Sequence, residues 1–162
     1  MTIAQGALGF CIAIPVIWGA DWAWGLSLII LTVVTHVVGL ALISQKAVLV
    51  FSRMTVRYHP TAVFAVVMGT TTLLTTSLHA LEAGIWSVSY WFLGALPHYK
   101  SAMLYSLSAM TSYGHEGLFL ESRWQLMGAI EALNGVLLFG LTTAFLFGII
   151  QKVWSLDSRV GR

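Results

Sequence analysis

The stretch PHYKSAMLYSLSAMTSYGHEGLFLESR, residues 97–123, separates two long apolar segments and sets the architecture of the chain. Its first part, Lys100 to Met110, is apolar with a helical pattern, and Pro97 suits the turn that precedes a helix. The stretch is too apolar for a simple loop and too short for two membrane crossings. Non-helical backbone is tolerated at membrane depth only where it is buried in protein or lines water. The pattern therefore predicts a half-helix that enters the membrane and a loop that returns to the same side.

Three apolar segments around this stretch are each long enough to span a bilayer, for which about 20 apolar residues suffice. They run from about Trp22 to Ile43, from about Thr61 to Leu96 and from about Trp124 to Trp154. Residues 3–18 are apolar but short, and two interpretations stay open for them. They form a fourth, short embedded helix that turns back at residues 19–21, which is favoured, or they lie along the membrane interface.

The composition also places the chain in a membrane. Of its 162 residues 58% are hydrophobic and only 9% are charged, whereas soluble domains carry roughly 25% charged residues. A net charge of +2 is too small to indicate a nucleic-acid partner, and the single Cys11 excludes an intrachain disulfide. The sequence shows no nucleophile, metalloprotease or phosphate-loop motif, so it predicts neither an enzyme nor a bound cofactor.

Basic residues predict the orientation of the spans. They cluster between the first and second spans and after the third: Lys46, Arg53, Arg57, Lys152, Arg159 and Arg162. Because basic residues concentrate in cytoplasmic connections, both groups are expected on the cytoplasmic side. The sequence therefore predicts a multi-pass protein of the cell inner (plasma) membrane with a cytoplasmic C-terminus.

Residues 102–124, AMLYSLSAMTSYGHEGLFLESRW, resemble the pore helix and selectivity filter of the small bacterial ion-channel family. Members of that family are potassium-channel-like and carry one re-entrant pore loop per chain. Residues 126–147 are similar to the inner helix of the same family. Likenesses at residues 31–42 and 78–86 extend the resemblance to about residues 24–154.

The filter segment departs from the family pattern, Thr-Thr-(Val/Leu)-Gly-Tyr-Gly-Asp. Thr111 and Gly114 are retained, whereas the remaining positions carry Ser112, Tyr113, His115, Glu116 and Gly117. A potassium filter replaces the hydration shell of the ion with rings of backbone carbonyls, and positive φ at its second glycine is costly for any other residue. Glu116 at that position is therefore expected to prevent the outer rings from forming and to weaken selectivity for potassium over sodium.

The resemblance implies a passive channel for monovalent cations, potassium or sodium. The implied filter consists of an inner part and an outer mouth: Thr111, Ser112, Tyr113 and Gly114, then His115 and Glu116. Because one pore loop per chain cannot enclose an axis, the implied assembly is a homotetramer embedded in the bilayer. Four copies of Glu116 would form a carboxylate ring able to bind a divalent ion, and His115 would make permeation pH-sensitive. Alternatively, Glu116 pairs with Arg123 and His115 faces solvent.

The predicted fold class is an all-α integral membrane protein with three or four transmembrane helices, a re-entrant pore helix and a filter loop. The organisation in chain order is an apolar N-terminal segment, two outer helices with a basic cytoplasmic connection, the pore helix with its filter loop, the inner helix and a cytoplasmic tail. The corresponding ranges are residues 1–21, 22–96, 97–123, 124–154 and 155–162.

Ionisable side chains inside the spans are costly and mark candidate sites. His36 lies in the first span, and His79 and Glu82 lie three residues apart on one face of the second. Glu131 and Asn134 have the same spacing in the third. The simplest interpretation is a polar network that joins the outer helices to the pore helix, with a pore-helix serine, Ser106 or Ser108, as partner.

The histidines could also belong to a specific functional site instead of a structural polar network. His36, His79 and Glu82 could form a regulatory proton or metal site, and the sequence leaves the metal unknown. The two histidines could instead be the axial ligands of a haem, which would make the chain a membrane redox subunit. A third function, a non-conducting channel-like scaffold or subunit, also stays open because the filter is degenerate.

Overall fold

The computed structural model describes residues 3–114 and 117–160, and within these the side chains from Gly19 to Lys152. Four α-helices follow one another: α1 (Ile3–Met54), α2 (Pro60–Phe92), α3 (Tyr99–Met110) and α4 (Gln125–Val160). A single 3₁₀ turn, Ser122–Trp124, precedes α4. The described residues contain no β-strand, which confirms the all-α class.

Among the described residues, three helical segments are long and apolar enough to cross a membrane: Gly19–Met54, Pro60–Phe92 and Ser122–Lys152. They confirm the prediction of three apolar helices that could span a bilayer. α1 runs without a break through residues 19–21, where the sequence favoured a turn. Asp21 is buried there, close to the backbone of Met127 at the start of α4. The positive end of a helix favours such an acid, so Asp21 acts as a packing residue instead of a turn residue.

α2 ends at Phe92, four residues before the predicted end of the second span. The Ala95 N–H donates to Tyr90 O at 2.9 Å and the Gly94 N–H donates to Trp91 O at 3.2 Å. This is the hydrogen-bond pattern of a Schellman C-cap, which requires a left-handed residue after the helix. Gly94, with φ of 69°, supplies it.

The chain divides into two compact units. The first contains the segment up to Thr32 together with Ala83–Val136, and the second contains Val33–Glu82 together with the chain from Leu137 onward. α1, α2 and α4 each contribute a segment to both units, whereas α3 belongs to the first unit alone.

In the first unit, α3 lies alongside the end of α2. Ser106 Oγ donates a hydrogen bond to Ala83 O at 2.9 Å, and Ser87 Oγ donates one to Met103 Sδ at 3.5 Å. Residue numbers rise along α3 as they fall along α2, so the two helices are antiparallel. Apolar side chains of this unit form a buried core: Leu28, Trp86, Tyr90, Ala102, Trp124, Met127 and Ile130.

α3 also runs beside the first part of α4, in the same direction. Tyr105 OH lies against Gly128, and the main chain of Met110 lies so close to Gly135 that an added Cβ would fall 2.7 Å from Met110 Cα. Gly135 follows Gln125 by ten residues, which is about 15 Å along a helix that rises ~1.5 Å per residue. The C-terminal end of α3 therefore lies well beyond the first turn of α4.

After α3 the chain returns to the end of α2 from which it departed. The Glu121 N–H donates to Ala95 O at 3.2 Å, and Arg123 Nη2 donates to Leu93 O at 3.4 Å. Leu120 is buried in the core between these contacts. The connection from α2 to α4 thus leaves and rejoins the first unit at the same end.

The second unit packs the remaining segments of α1, α2 and α4. Its apolar core consists of Ala47, Phe51, Val63, Val67 and Ile149. The glycine at position 39 of α1 permits a close approach to α2, because a Cβ at Gly39 would lie 2.7 Å from Leu78 Cδ2. This approach places His36 of α1 and Glu82 of α2 within hydrogen-bonding distance.

Candidate functional sites

The predicted filter begins directly at the C-terminal end of α3. The Tyr113 N–H donates to Ser108 O and the Ser112 N–H donates to Ala109 O, each at 3.0 Å. These bonds form a Schellman cap with Ser112 in the left-handed position, at φ of 55°. A serine with positive φ is uncommon and costs free energy, so the backbone at this point is held in place by its surroundings.

Positive φ recurs two residues later, at Gly114, where φ is 73°. Thr111, Ser112, Tyr113 and Gly114 are all exposed, and the Tyr113 side chain keeps 86% of its surface. The other two predicted filter residues, His115 and Glu116, lie outside the described residues. The predicted alternative partner of Glu116, Arg123, has its Nε 3.2 Å from Glu121 Oε2.

A cavity of about 360 Å³ opens between this segment and the first part of α4. Three hydroxyl-bearing residues line it, Tyr105, Ser108 and Ser112, together with small residues of α4 such as Gly128 and Ala132. The small residues leave the polar edge of α3 uncovered. The exposed filter segment and this cavity therefore share one face of the first unit.

A buried acid lies behind α3 and is hydrogen-bonded to it; we call Tyr90, Ser106 and Glu131 the acid cluster. Tyr90 OH donates to Glu131 Oε2 at 2.7 Å, and Ser106 Oγ makes a very short contact with Glu131 Oε1. None of the three side chains is exposed. Of the two predicted serine partners, Ser106 thus contacts the acid, whereas Ser108 donates to Leu104 O within α3.

The hydrogen bonds of Ser106 indicate whether the Glu131 carboxyl group is protonated. Ser106 Oγ also contacts Ala83 O, and a carbonyl oxygen can only accept. A hydroxyl carries one proton, so Ser106 satisfies both contacts only if Glu131 donates its own proton to Ser106 Oγ. A neutral carboxylic acid also avoids the cost of burying an unpaired charge.

Asn134 does not join the acid cluster despite its spacing from Glu131. Its Nδ2 donates to Thr32 Oγ1 at 2.9 Å, and the Thr32 hydroxyl donates to Leu28 O at 2.8 Å. Glu131 therefore contacts α2 and α3, whereas Asn134 contacts α1.

The second unit brings the two predicted histidines and Glu82 together; with Thr142 they form what we call the histidine cluster. His36 Nδ1 lies 2.8 Å from Glu82 Oε1, and His79 Nδ1 lies 3.3 Å from Glu82 Oε2. Thr142 Oγ1 lies 3.1 Å from His36 Nε2 and 3.0 Å from His79 Nε2. His36 and Glu82 are fully buried, and the ring of His79 stacks on Phe139. The four side chains thus close a ring of polar contacts.

Sequence reasoning found the ionisable members of both clusters and missed three hydroxyl partners: Tyr90, Thr142 and Thr32. A hydroxyl in an apolar helix is a weak signal, since Thr72, Thr75 and Thr76 of α2 donate to a carbonyl in the preceding turn. Only the packing of the helices distinguishes the hydroxyls that meet an ionisable side chain.

Comparisons of the chain with protein-family models, with curated proteins and with solved structures gave no match.

Proposed function

We propose that the chain is a pore subunit of a cation channel that conducts potassium or sodium passively and with weak selectivity. One observation carries the proposal: the main chain of Met110, at the end of α3, lies against Gly135, about 15 Å along α4, while Glu121 returns to Ala95. In a hydrocarbon core of about 30 Å, a helix that ends there stops near mid-depth. Backbone placed there must line water or be buried in protein.

The orientation of α3 suits a cation. The last carbonyls of a helix carry partial negative charge, and α3 presents this end beside the exposed segment 111–114. Thr111, Ser112, Tyr113 and Gly114 make up the proposed inner filter. Their exposure fits an assembly in which the same segments of other subunits face them, and four subunits around one axis would enclose a pore.

The backbone of the filter segment supports partial selectivity. Positive φ at Ser112 and again at Gly114 gives an alternating backbone of the kind that can direct successive carbonyls toward an axis. Continuation of the alternation would require positive φ at Glu116, which is costly for a residue with a side chain. The proposed filter therefore retains its inner carbonyl rings, loses its outer ones, and discriminates poorly between monovalent cations.

Gly114→Ala tests the proposal because its Cβ strains the left-handed backbone in the proposed filter. Gly117→Ala is the matched control: its φ is not positive, and no described atom would lie within 4 Å of the added Cβ. In proteoliposomes, we expect potassium and sodium flux to fall about 5- to 150-fold for Gly114→Ala, given a strain of ~1–3 kcal/mol, and to be retained for Gly117→Ala. Absence of flux in the unsubstituted protein would contradict the proposal, as would equal flux in both variants.

Glu116→Gln tests the proposed outer mouth. Removal of four carboxylates from one axis should lower the affinity for divalent cations, so block of sodium flux by calcium should need a higher calcium concentration. The measurement is the calcium dependence of flux in both proteins. Identical block curves would remove Glu116 from the permeation path while leaving the inner filter untouched.

No contact in the described residues favours the two alternative functions over conduction. Axial haem ligation would place the macrocycle between the imidazoles of His36 and His79, but their ring centroids lie 5.1 Å apart and both rings share the Thr142 hydroxyl. A Soret band in purified protein would support the redox subunit. Folded, tetrameric protein without flux would support the scaffold.

A further inference from the structure

With Glu82 as a carboxylate and both histidines neutral, the histidine cluster has one proton too few for its four contacts. Glu82 as a carboxylate has none to donate, Thr142 has one, and a neutral imidazole has one, on either Nδ1 or Nε2. With His36 and His79 neutral, three protons are therefore available. Each contact between two polar atoms at these distances needs one proton or another cation between them.

The contact that lacks a proton is the one between His79 Nδ1 and Glu82 Oε2. These two atoms are buried and have no hydrogen-bond partner among the described residues, although they lie 3.3 Å apart. The other three contacts are 2.8, 3.0 and 3.1 Å long and account for the three protons. A lone pair on the His79 imidazole thus faces a lone pair on a Glu82 carboxylate oxygen. Because these two atoms are buried away from solvent, a cation between them would be stabilising.

We propose that this cluster is a binding site for a divalent transition-metal ion of the zinc class, held by His36 Nδ1, His79 Nδ1 and the Glu82 carboxylate. One ligand atom from each residue can be chosen so that all three lie within 4.8 Å of one another. Zinc binds nitrogen and oxygen at ~2.0–2.2 Å, so two ligands of a tetrahedral ion are about 3.4 Å apart. The separation of His79 Nδ1 from Glu82 Oε2, 3.3 Å, matches that edge, whereas His36 Nδ1 and Glu82 Oε1, 2.8 Å apart, would have to separate by about 0.6 Å to hold the ion.

The position of Thr142 agrees with metal at both Nδ1 atoms. A metal-bound neutral imidazole carries its proton on the other ring nitrogen, and that N–H is held by an acceptor outside the metal's own ligands. Both Nε2 atoms would then donate to Thr142 Oγ1, which has two lone pairs. With the ion bound, each of the four contacts in the histidine cluster contains either a hydrogen-bonding proton or the metal ion between its two atoms.

Two histidines and one carboxylate are a donor set that zinc uses when a fourth position is left to water. Nitrogen donors select zinc or cobalt over magnesium and calcium, which prefer oxygen. The ligands come from α1 and α2, and the Thr142 hydroxyl comes from α4, so the bound ion would stabilise the packing of three helices in the second unit. The site does not depend on whether the protein conducts ions.

Metal binding by the full chain in detergent, stripped with a chelator, tests the proposal. We expect one zinc ion per chain by isothermal titration, and cobalt in its place with the visible absorption of a tetrahedral site. Glu82→Gln and His79→Gln should each weaken zinc binding at least about 100-fold, and Thr142→Ala about 10- to 100-fold, with recovery in Thr142→Ser. Exposed His59 and His98 provide controls, since their replacement by Gln should leave the affinity unchanged.

The cobalt spectrum needs no substitution, so the test survives a variant that fails to fold. Folded, unsubstituted protein that binds neither zinc nor cobalt would overturn the proposal and leave a proton as the cation in the cluster. Binding lost in His59→Gln or His98→Gln but retained in Glu82→Gln would overturn it as well, by placing the ion at the surface. Magnesium binding as tight as zinc binding would contradict the zinc class.

Discussion

Replacement of Gly135 by alanine is expected to push the end of α3 away from α4 and to lower the free energy of unfolding by about 2 kcal/mol. The added Cβ would lie 2.7 Å from Met110 Cα and closer still to its carbonyl oxygen. Backbone atoms cannot rotate out of the way as a side chain can, so the strain belongs at the upper end of the ~1–3 kcal/mol typical of overpacking. The better helix propensity of alanine returns roughly 1 kcal/mol.

Gly140→Ala is the matched control on the same helix. No atom that the structure describes would lie within 4 Å of its Cβ, so only the gain in helix propensity of roughly 1 kcal/mol is expected. Both variants are compared with the unsubstituted protein by denaturant unfolding in detergent. Equal stability of the two variants would show that the close contact between Met110 and Gly135 does not exist in the membrane protein.

The same pair of variants distinguishes packing from gating. Of the α4 glycines at positions 135, 140 and 148, only Gly135 has a neighbour that requires glycine. If the pore proposal is right, displacement of α3 displaces Thr111 to Gly114 with it, and flux should be lost in Gly135→Ala. Flux retained in Gly135→Ala alongside the expected loss of stability would place the filter elsewhere.

The membrane class and the three spans were predictable because they depend on length and apolar content alone. α3 was predictable from Pro97 and the apolar run to Met110, since neither a simple loop nor a full span fits that stretch. The continuity of α1 through residues 19–21 was not predictable from the sequence. Residues 19–21 favour a turn locally, but Asp21 is held by the N-terminal end of α4, an interaction with a distant part of the chain.

The composition of the buried clusters was predictable only in part. A membrane helix is apolar on all sides, so its hydrophobic pattern does not reveal which face packs against protein. The ionisable residues stood out because they are costly in lipid, and His79 with Glu82 shared a face by spacing. The same spacing puts Glu131 and Asn134 on one side of α4, but it does not reveal their partners. Glu131 contacts Tyr90 of α2 and Ser106 of α3, whereas Asn134 contacts Thr32 of α1.

Glu131→Ala is expected to destabilise the protein by about 3 kcal/mol or more. The substitution leaves a cavity in a fully buried site and deprives Tyr90 OH of its acceptor, at a cost of ~1–3 kcal/mol for the hydroxyl alone. Glu121→Ala is the control for loss of an acid, because Glu121 pairs with Arg123 at the surface, with both side chains more than half exposed. Such pairs contribute ~0–1 kcal/mol. Unfolding in detergent should separate the two variants clearly.

Glu131→Gln then determines whether Glu131 in the acid cluster is a neutral acid or a carboxylate. If Glu131 is a neutral acid that donates to Ser106 Oγ, the glutamine amide can donate in its place and accept from Tyr90 OH, and the loss should stay below about 1 kcal/mol. If Glu131 is a carboxylate, the amide removes a charged acceptor from both hydroxyls, so the loss should exceed about 1 kcal/mol and approach that of Glu131→Ala. An infrared band of a protonated carboxylic acid that disappears in Glu131→Gln would give the same answer without unfolding. A neutral acid at this position would fasten α3 to α4 without a buried charge.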